Sequence, residues 1–111
     1  SDFEKICAPI NDINPTFPFK VNVAPARNRP TVGSGTDAGA FLAAGVPVVY
    51  LGTEDICGHD FSYREIWHTP RDTFEKCPAE YMDHTSIVTA IVVYGVANLD
   101  YLLPRDGYFR E

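Results

Sequence analysis

The chain has 111 residues, 45% of them hydrophobic and 22% charged, with a formal net charge of −6. Those proportions suit one soluble globular domain with a modest core, since a chain of this length buries roughly two-thirds of its unfolded surface. Arg and Lys are scattered without a basic stripe, which argues against nucleic acid or an anionic membrane as partner, and no apolar run reaches the ~18 residues of a membrane span.

Residues 2 to 8 read as the end of a helix stopped by Pro9, and Asn11 to Pro18 as a turn-rich stretch. Phe19-Lys20-Val21-Asn22-Val23-Ala24 alternates apolar and polar residues at period two, the pattern of a strand with one buried face. A loop from Pro25 to Gly35 follows. Thr36 or Asp37 then caps a short helix through Phe41 and Ala44, with Gly45 as a left-handed stop. Val46 to Leu51 is apolar without alternation, as in a strand covered on both faces, and strand–helix–strand order implies a right-handed parallel crossover.

Gly52 to Arg71 carries no convincing element, and a loop that long in a compact domain is usually functional. Pro78 suits the first position of a last helix, with Glu80 in its first turn. Ile87, Ala90, Ile91, Tyr94, Ala97 and Tyr101 fall on one face of it. Val88, Val92, Val93 and Val96 make it apolar nearly all round, so it is expected to be mostly buried and to end at Pro104.

Ser1 is no initiator and the only methionine is Met82, so upstream residues are expected to be missing, with any signal peptide among them. Cys7, Cys57 and Cys77 have no CxxC or CxxH spacing. Their odd number precludes full internal pairing and is compatible with one disulfide and one free thiol. The compartment stays open, with a secreted or periplasmic setting favoured.

The metal census is short. His59, His68 and His84 are the only histidines, and none makes an HExxH pair. His84 reads as a surface or partly buried packing residue. His59 beside Asp60 is either a ligand pair or, as favoured here, a loop hydrogen bond. His68 has more useful neighbours, since Trp67 can wall a pocket, Thr69 can hydrogen-bond locally and Asp72 can cap the next turn. A catalytic zinc keeps three protein ligands and an open position, so His68 needs partners. Asp37, Asp55 and Asp60 are available, but their spacing singles none out.

Taken together, Gly33-Ser34-Gly35-Thr36-Asp37 with Phe41 and Gly45-Val46-Pro47, then Trp67-His68-Thr69 and Asp72-Thr73, resemble the carboxyl-terminal part of the two-zinc aminopeptidase family. That family includes glutamate carboxypeptidase-like enzymes and one-zinc glutaminyl cyclases. The resemblance covers about residues 19–103 and implies an α/β fold, in which a partial mixed, mainly parallel sheet is flanked by helices and a long buried carboxyl-terminal helix. Residues 1–111 then form a single incomplete domain.

By that resemblance His68 is a zinc ligand, and Trp67, Ser34, Gly35 and Thr36 border the substrate pocket. Asp37 is a catalytic residue at the pocket or just behind the metal, and Asp72 supports the His68 loop through a hydrogen bond. Ala38 stands where many aminopeptidases follow the aspartate with histidine. The remaining zinc ligands and the general-base glutamate are expected upstream of this chain, and Asp2 and Glu4 are not assigned to those roles.

The implied activity is zinc-assisted hydrolysis of a peptide bond at a free amino terminus, with this segment inactive alone. The alternatives are a glutaminyl cyclase-like segment, favoured by Trp67 before His68, and a non-catalytic module of the same fold. The expected partners are the peptide substrate of the complete enzyme, the missing upstream part, and further copies through an open sheet edge beside Val21 and Val48.

Overall fold

A 19-residue helix organises the larger part of the molecule. The computed structural model describes residues 1–30 and 36–110, and its contacts divide into two units. The first joins Ser1–Val21 to Leu51–Asn98; the second joins Asn22–Tyr50 to Leu99–Glu111.

In the first unit, α1 (Asp2–Cys7) starts with a capping box. Ser1 Oγ accepts from the Glu4 N–H, and the Glu4 carboxylate returns to the Ser1 amino group. Asp2 pairs with Lys5 at 3.0 Å, so both acids near the chain start serve this helix. Pro9 stops α1 and also begins α2 (Ile10–Ile13) within the stretch read as turns. Both helices pack on α5 (Ala79–Ala97). Cys7, Ile10, Val88 and Val92 form the core there, with Ile10 fully buried. A Cβ at Gly95 would lie 2.3 Å from Ile6 Cγ2, so the close approach of α1 requires glycine at that position.

The buried side of α5 is not the one expected. Tyr81, Val88 and Val92 are buried, whereas Val93 and Tyr94 are 61% and 73% exposed. A helix apolar nearly all round gives the sequence no preferred direction, and α1 and α2 cover only one side. The expectation of a mostly buried helix fails for the same reason. α5 ends at Asn98, whose N–H and Nδ2 both donate to Tyr94 O, well before Pro104. His84 stacks on Phe17 at 5.1 Å and is half-buried, with Nδ1 unpartnered. The segment between Gly52 and Arg71 contains a short helix, α4 (Tyr63–Ile66), that buries Ile66.

The second unit contains α3 (Asp37–Ala43), which follows Thr36 and closes in a Schellman motif. Val46 N–H donates to Phe41 O and Gly45 N–H to Leu42 O, both at 2.9 Å, with Gly45 at φ +76°. Arg110 N–H and Nε donate to Arg27 O and Ala26 O at 2.9 Å, and the Arg29 guanidinium sits 4.9 Å above the Phe109 ring.

The expected mixed, mainly parallel sheet is absent. Among the described residues there is no strand, and the only ladder contact is a parallel bridge between Arg27 and Phe109. Alternation reports which face is buried; it does not supply a neighbour for the ladder hydrogen bonds. Phe19 and Val21 do pack on the core, but Val23 is exposed. The Phe19 backbone is satisfied by the Asn11 side chain, which accepts its N–H at 2.7 Å and donates to its carbonyl at 3.1 Å. Val49, Tyr50 and Leu51 are exposed rather than covered on both faces, and Val46 bonds back to α3. The parallel crossover and the open edge at Val21 and Val48 go with the sheet.

Candidate functional site

Two loops of the first unit carry its chemistry. The first, residues 52–61, is gathered by one carboxylate. Asp55 Oδ1 accepts the His59 N–H at 2.9 Å and the Tyr81 hydroxyl at 2.6 Å, while Oδ2 accepts the Phe61 N–H at 3.1 Å. The Tyr81 oxygen in turn accepts the Cys57 N–H at 2.9 Å. These bonds, that from Tyr81 foremost, hold the Asp55 carboxyl down at about 2. Desolvation and the adjoining carboxylate push the Tyr81 phenol up to about 12. The Tyr81 ring is ringed edge-on by Phe17, His59 and Phe61.

Gly58 at φ +74° and Asp60 at φ +55° turn this loop tightly. Lys76 Nζ fastens the bend, donating to Asp60 Oδ2 at 2.7 Å and to its carbonyl at 2.8 Å. As a result Cys57, His59 and Glu80 come together at the start of α5, their ligating atoms all within 4.8 Å of one another. The His59 ring contacts the Glu80 carboxylate directly. Beside them opens a shallow cleft of about 390 Å³, lined by His59, Glu75, Pro78, Ala79 and Glu80. Spacing in the sequence missed this grouping, because Glu80 lies 21 residues beyond His59 and only the Cys-Gly-His run hinted at it.

The second loop, residues 67–73, contains the histidine with the strongest sequence context. Trp67 stacks on Tyr63 at 5.8 Å and lies against the His68 ring at 4.2 Å. Both residues are exposed, and His68 sits at φ +57°, where non-glycine residues are uncommon and cluster at functional positions. Thr69 Oγ1 donates to Ile66 O at 2.7 Å and accepts the Arg71 N–H at 3.2 Å, knotting the loop locally. Asp72 contributes its backbone N–H, bonded to Thr69 O at 3.1 Å, and its carboxylate makes no hydrogen bond among the described residues. The next 3₁₀ turn, Phe74–Lys76, is preceded by Thr73 rather than capped by Asp72.

The other predicted site residues belong to the second unit. Thr36 precedes α3 and Asp37 opens it, both exposed; Ser34 and Gly35 lie outside the described residues. Among the described residues the cluster at Cys57 is the one grouping of three metal-ligating side chains, and His68 is in none. An exposed imidazole can serve as one donor to a metal, and the remaining donors must come from elsewhere.

No curated protein and no solved structure matches the chain. A family profile does, over residues 9–93, a span that includes both loops and most of α5. On a match across well over half of its length, the chain belongs to peptidase family M28, a family of metallopeptidases.

Proposed function

We propose that the chain is the carboxyl-terminal part of a zinc aminopeptidase that removes amino-terminal residues from peptides, with His68 as one of the zinc ligands. The observation that carries this reading is the His68 backbone: a histidine beside an exposed tryptophan, in a left-handed conformation, within the M28 match. Trp67 walls the substrate end. Thr36 and Asp37, with Ser34 and Gly35, border the pocket, Asp37 acting on the substrate or on a metal ligand. Asp72 steadies the His68 loop.

When bound, zinc supplies Lewis acidity and lowers the pKa of a water toward neutrality. His68 donates one imidazole nitrogen, while the other ligands and the proton-accepting glutamate come from polypeptide outside residues 1–111. The chain alone is therefore inactive. Release of 4-nitroaniline from leucine 4-nitroanilide tests this directly. No turnover is expected from the 111-residue chain, with or without Zn²⁺, and turnover that disappears in His68→Ala would overturn its inactivity. In the complete enzyme, His68→Ala should remove activity and lower bound zinc, and acetylating the substrate amine should block cleavage. Trp67 beside the ligand histidine favours one second reading, amino-terminal glutamine cyclisation, which releases ammonia instead of an amino acid.

A further inference from the structure

We propose that Cys57, His59 and Glu80 form a binding site for a divalent transition metal of the zinc class, a site using none of the residues that the family resemblance points to. The donor set is the first argument. A thiolate, an imidazole and a carboxylate are the three side-chain types that bind zinc, and three protein ligands leave a fourth position open. Two of the donors, His59 and Glu80, also line the cleft shared with Glu75, Pro78 and Ala79, so a further ligand has room to approach. Tetrahedral zinc with bonds of 2.0–2.3 Å sets its donor atoms about 3.5 Å apart. The present separations, all within 4.8 Å, lie within about 1.3 Å of that spacing, and all three donors are on exposed side chains.

The second argument is how the donors are held. Cys57 and His59 are separated only by Gly58, whose positive φ folds the chain so that both flanking side chains meet Glu80. Asp55 fixes the His59 backbone and, through Tyr81, that of Cys57, so the loop is tied to the helix that carries Glu80 before any metal arrives. Charge is the third argument. A bare dication at the start of α5 would oppose the positive end of the helix dipole, but one thiolate and one carboxylate neutralise it.

The bland alternative is a surface His59–Glu80 ion pair with a bystander thiol, worth little either way. Cobalt titration of the reduced full chain separates the two. One equivalent of Co²⁺ should bind with a thiolate-to-cobalt charge-transfer absorption. Zn²⁺ should displace it at one equivalent, and excess Mg²⁺ or Ca²⁺ should not, since those ions prefer all-oxygen sites. Cys57→Ser and Cys57→Ala should each abolish the band, at an exposed position that leaves the core alone. His59→Asn and Glu80→Gln should each weaken binding at least tenfold, and Asp55→Asn about 10- to 100-fold through the lost support. Cys77→Ser and His68→Asn should change nothing. Absence of the band from a chain that keeps its helical circular dichroism overturns the proposal, as does a band that survives Cys57→Ser or disappears in His68→Asn.

Discussion

The two loops of the first unit each carry a histidine and a non-glycine residue at positive φ, yet they are held in different ways. Residues 52–61 are fastened at long range, by Tyr81 on α5 and by Lys76, through the carboxylates of Asp55 and Asp60. Residues 67–73 are knotted within themselves and to α4 next door, by the hydroxyl of Thr69 and a run of backbone turns. The first shape depends on α5 being in place; the second is built mainly from its own chain, with one exposed ion pair, Arg71 to Asp60 at 3.8 Å, reaching the first loop. A site on the first loop is thus coupled to the core, and one on the second is held mainly by its own local bonds until something external engages His68.

The severest way to break that contrast is to loosen α5. Ile10→Ala removes a fully buried core side chain and should cost about 2–5 kcal/mol, read from the urea midpoint of helical circular dichroism. Amide exchange should then quicken at Cys57, His59 and Phe61 more than at Arg71 and Asp72. Equal acceleration in both loops would remove the distinction. Gly95→Ala should destabilise as well, since overpacking against Ile6 typically costs about 1–3 kcal/mol and outweighs the helix propensity gained, about 0.5–1 kcal/mol.

How much of this was legible follows from the range of each interaction. The α3 stop at Gly45, the start of α5 after Pro78 and the local bonding of Thr69 are written within a few residues of where they act. The Gly33-Ser34-Gly35-Thr36-Asp37 and Trp67-His68-Thr69 signatures are equally local, and the two in that order led to the family. The sheet was not legible, because the alternation from Phe19 to Ala24 says nothing about a neighbouring strand, and Asn11 took the role of one. The buried side of α5 depends on where α1 lands, and the Cys57–His59–Glu80 grouping on a fold-back across 21 residues. Neither is encoded nearby.

Acidity sharpens the comparison without a mutation. The Asp55 carboxyl titrates near 2 in the folded chain and near 4 when unfolded, so its contribution is complete above about pH 4 and fades as pH falls toward 2. Tyr81 shows the opposite sign. Its phenol is raised to about 12, so that contribution holds below about pH 10 and is lost as pH rises through 12. Exchange at Cys57, His59 and Phe61 should therefore accelerate at both extremes, and Asp55→Asn should erase the acid limb. In the second loop Thr69→Val should cost about 0.5–1.5 kcal/mol at all these pH values. A pH-dependent cost would mean that the Arg71–Asp60 ion pair carries more of the second loop than its exposed position suggests.

The last comparison concerns the two turns. Gly58→Ala meets no steric obstacle, as nothing lies within 4 Å of a Cβ there, so its cost isolates the left-handed backbone at about 1–2 kcal/mol. His68→Gly runs the experiment in reverse. Glycine relieves a left-handed strain of similar size but loosens the unfolded chain by about 0.5–1 kcal/mol, leaving a net gain of about 1 kcal/mol or less. A gain in thermal stability from His68→Gly, with His68→Ala close to neutral, shows that the fold keeps a conformation it does not need at residue 68. A clear loss in His68→Gly would mean that the imidazole and the Trp67 ring hold the loop together, and the histidine would then be explained by packing instead of by a metal.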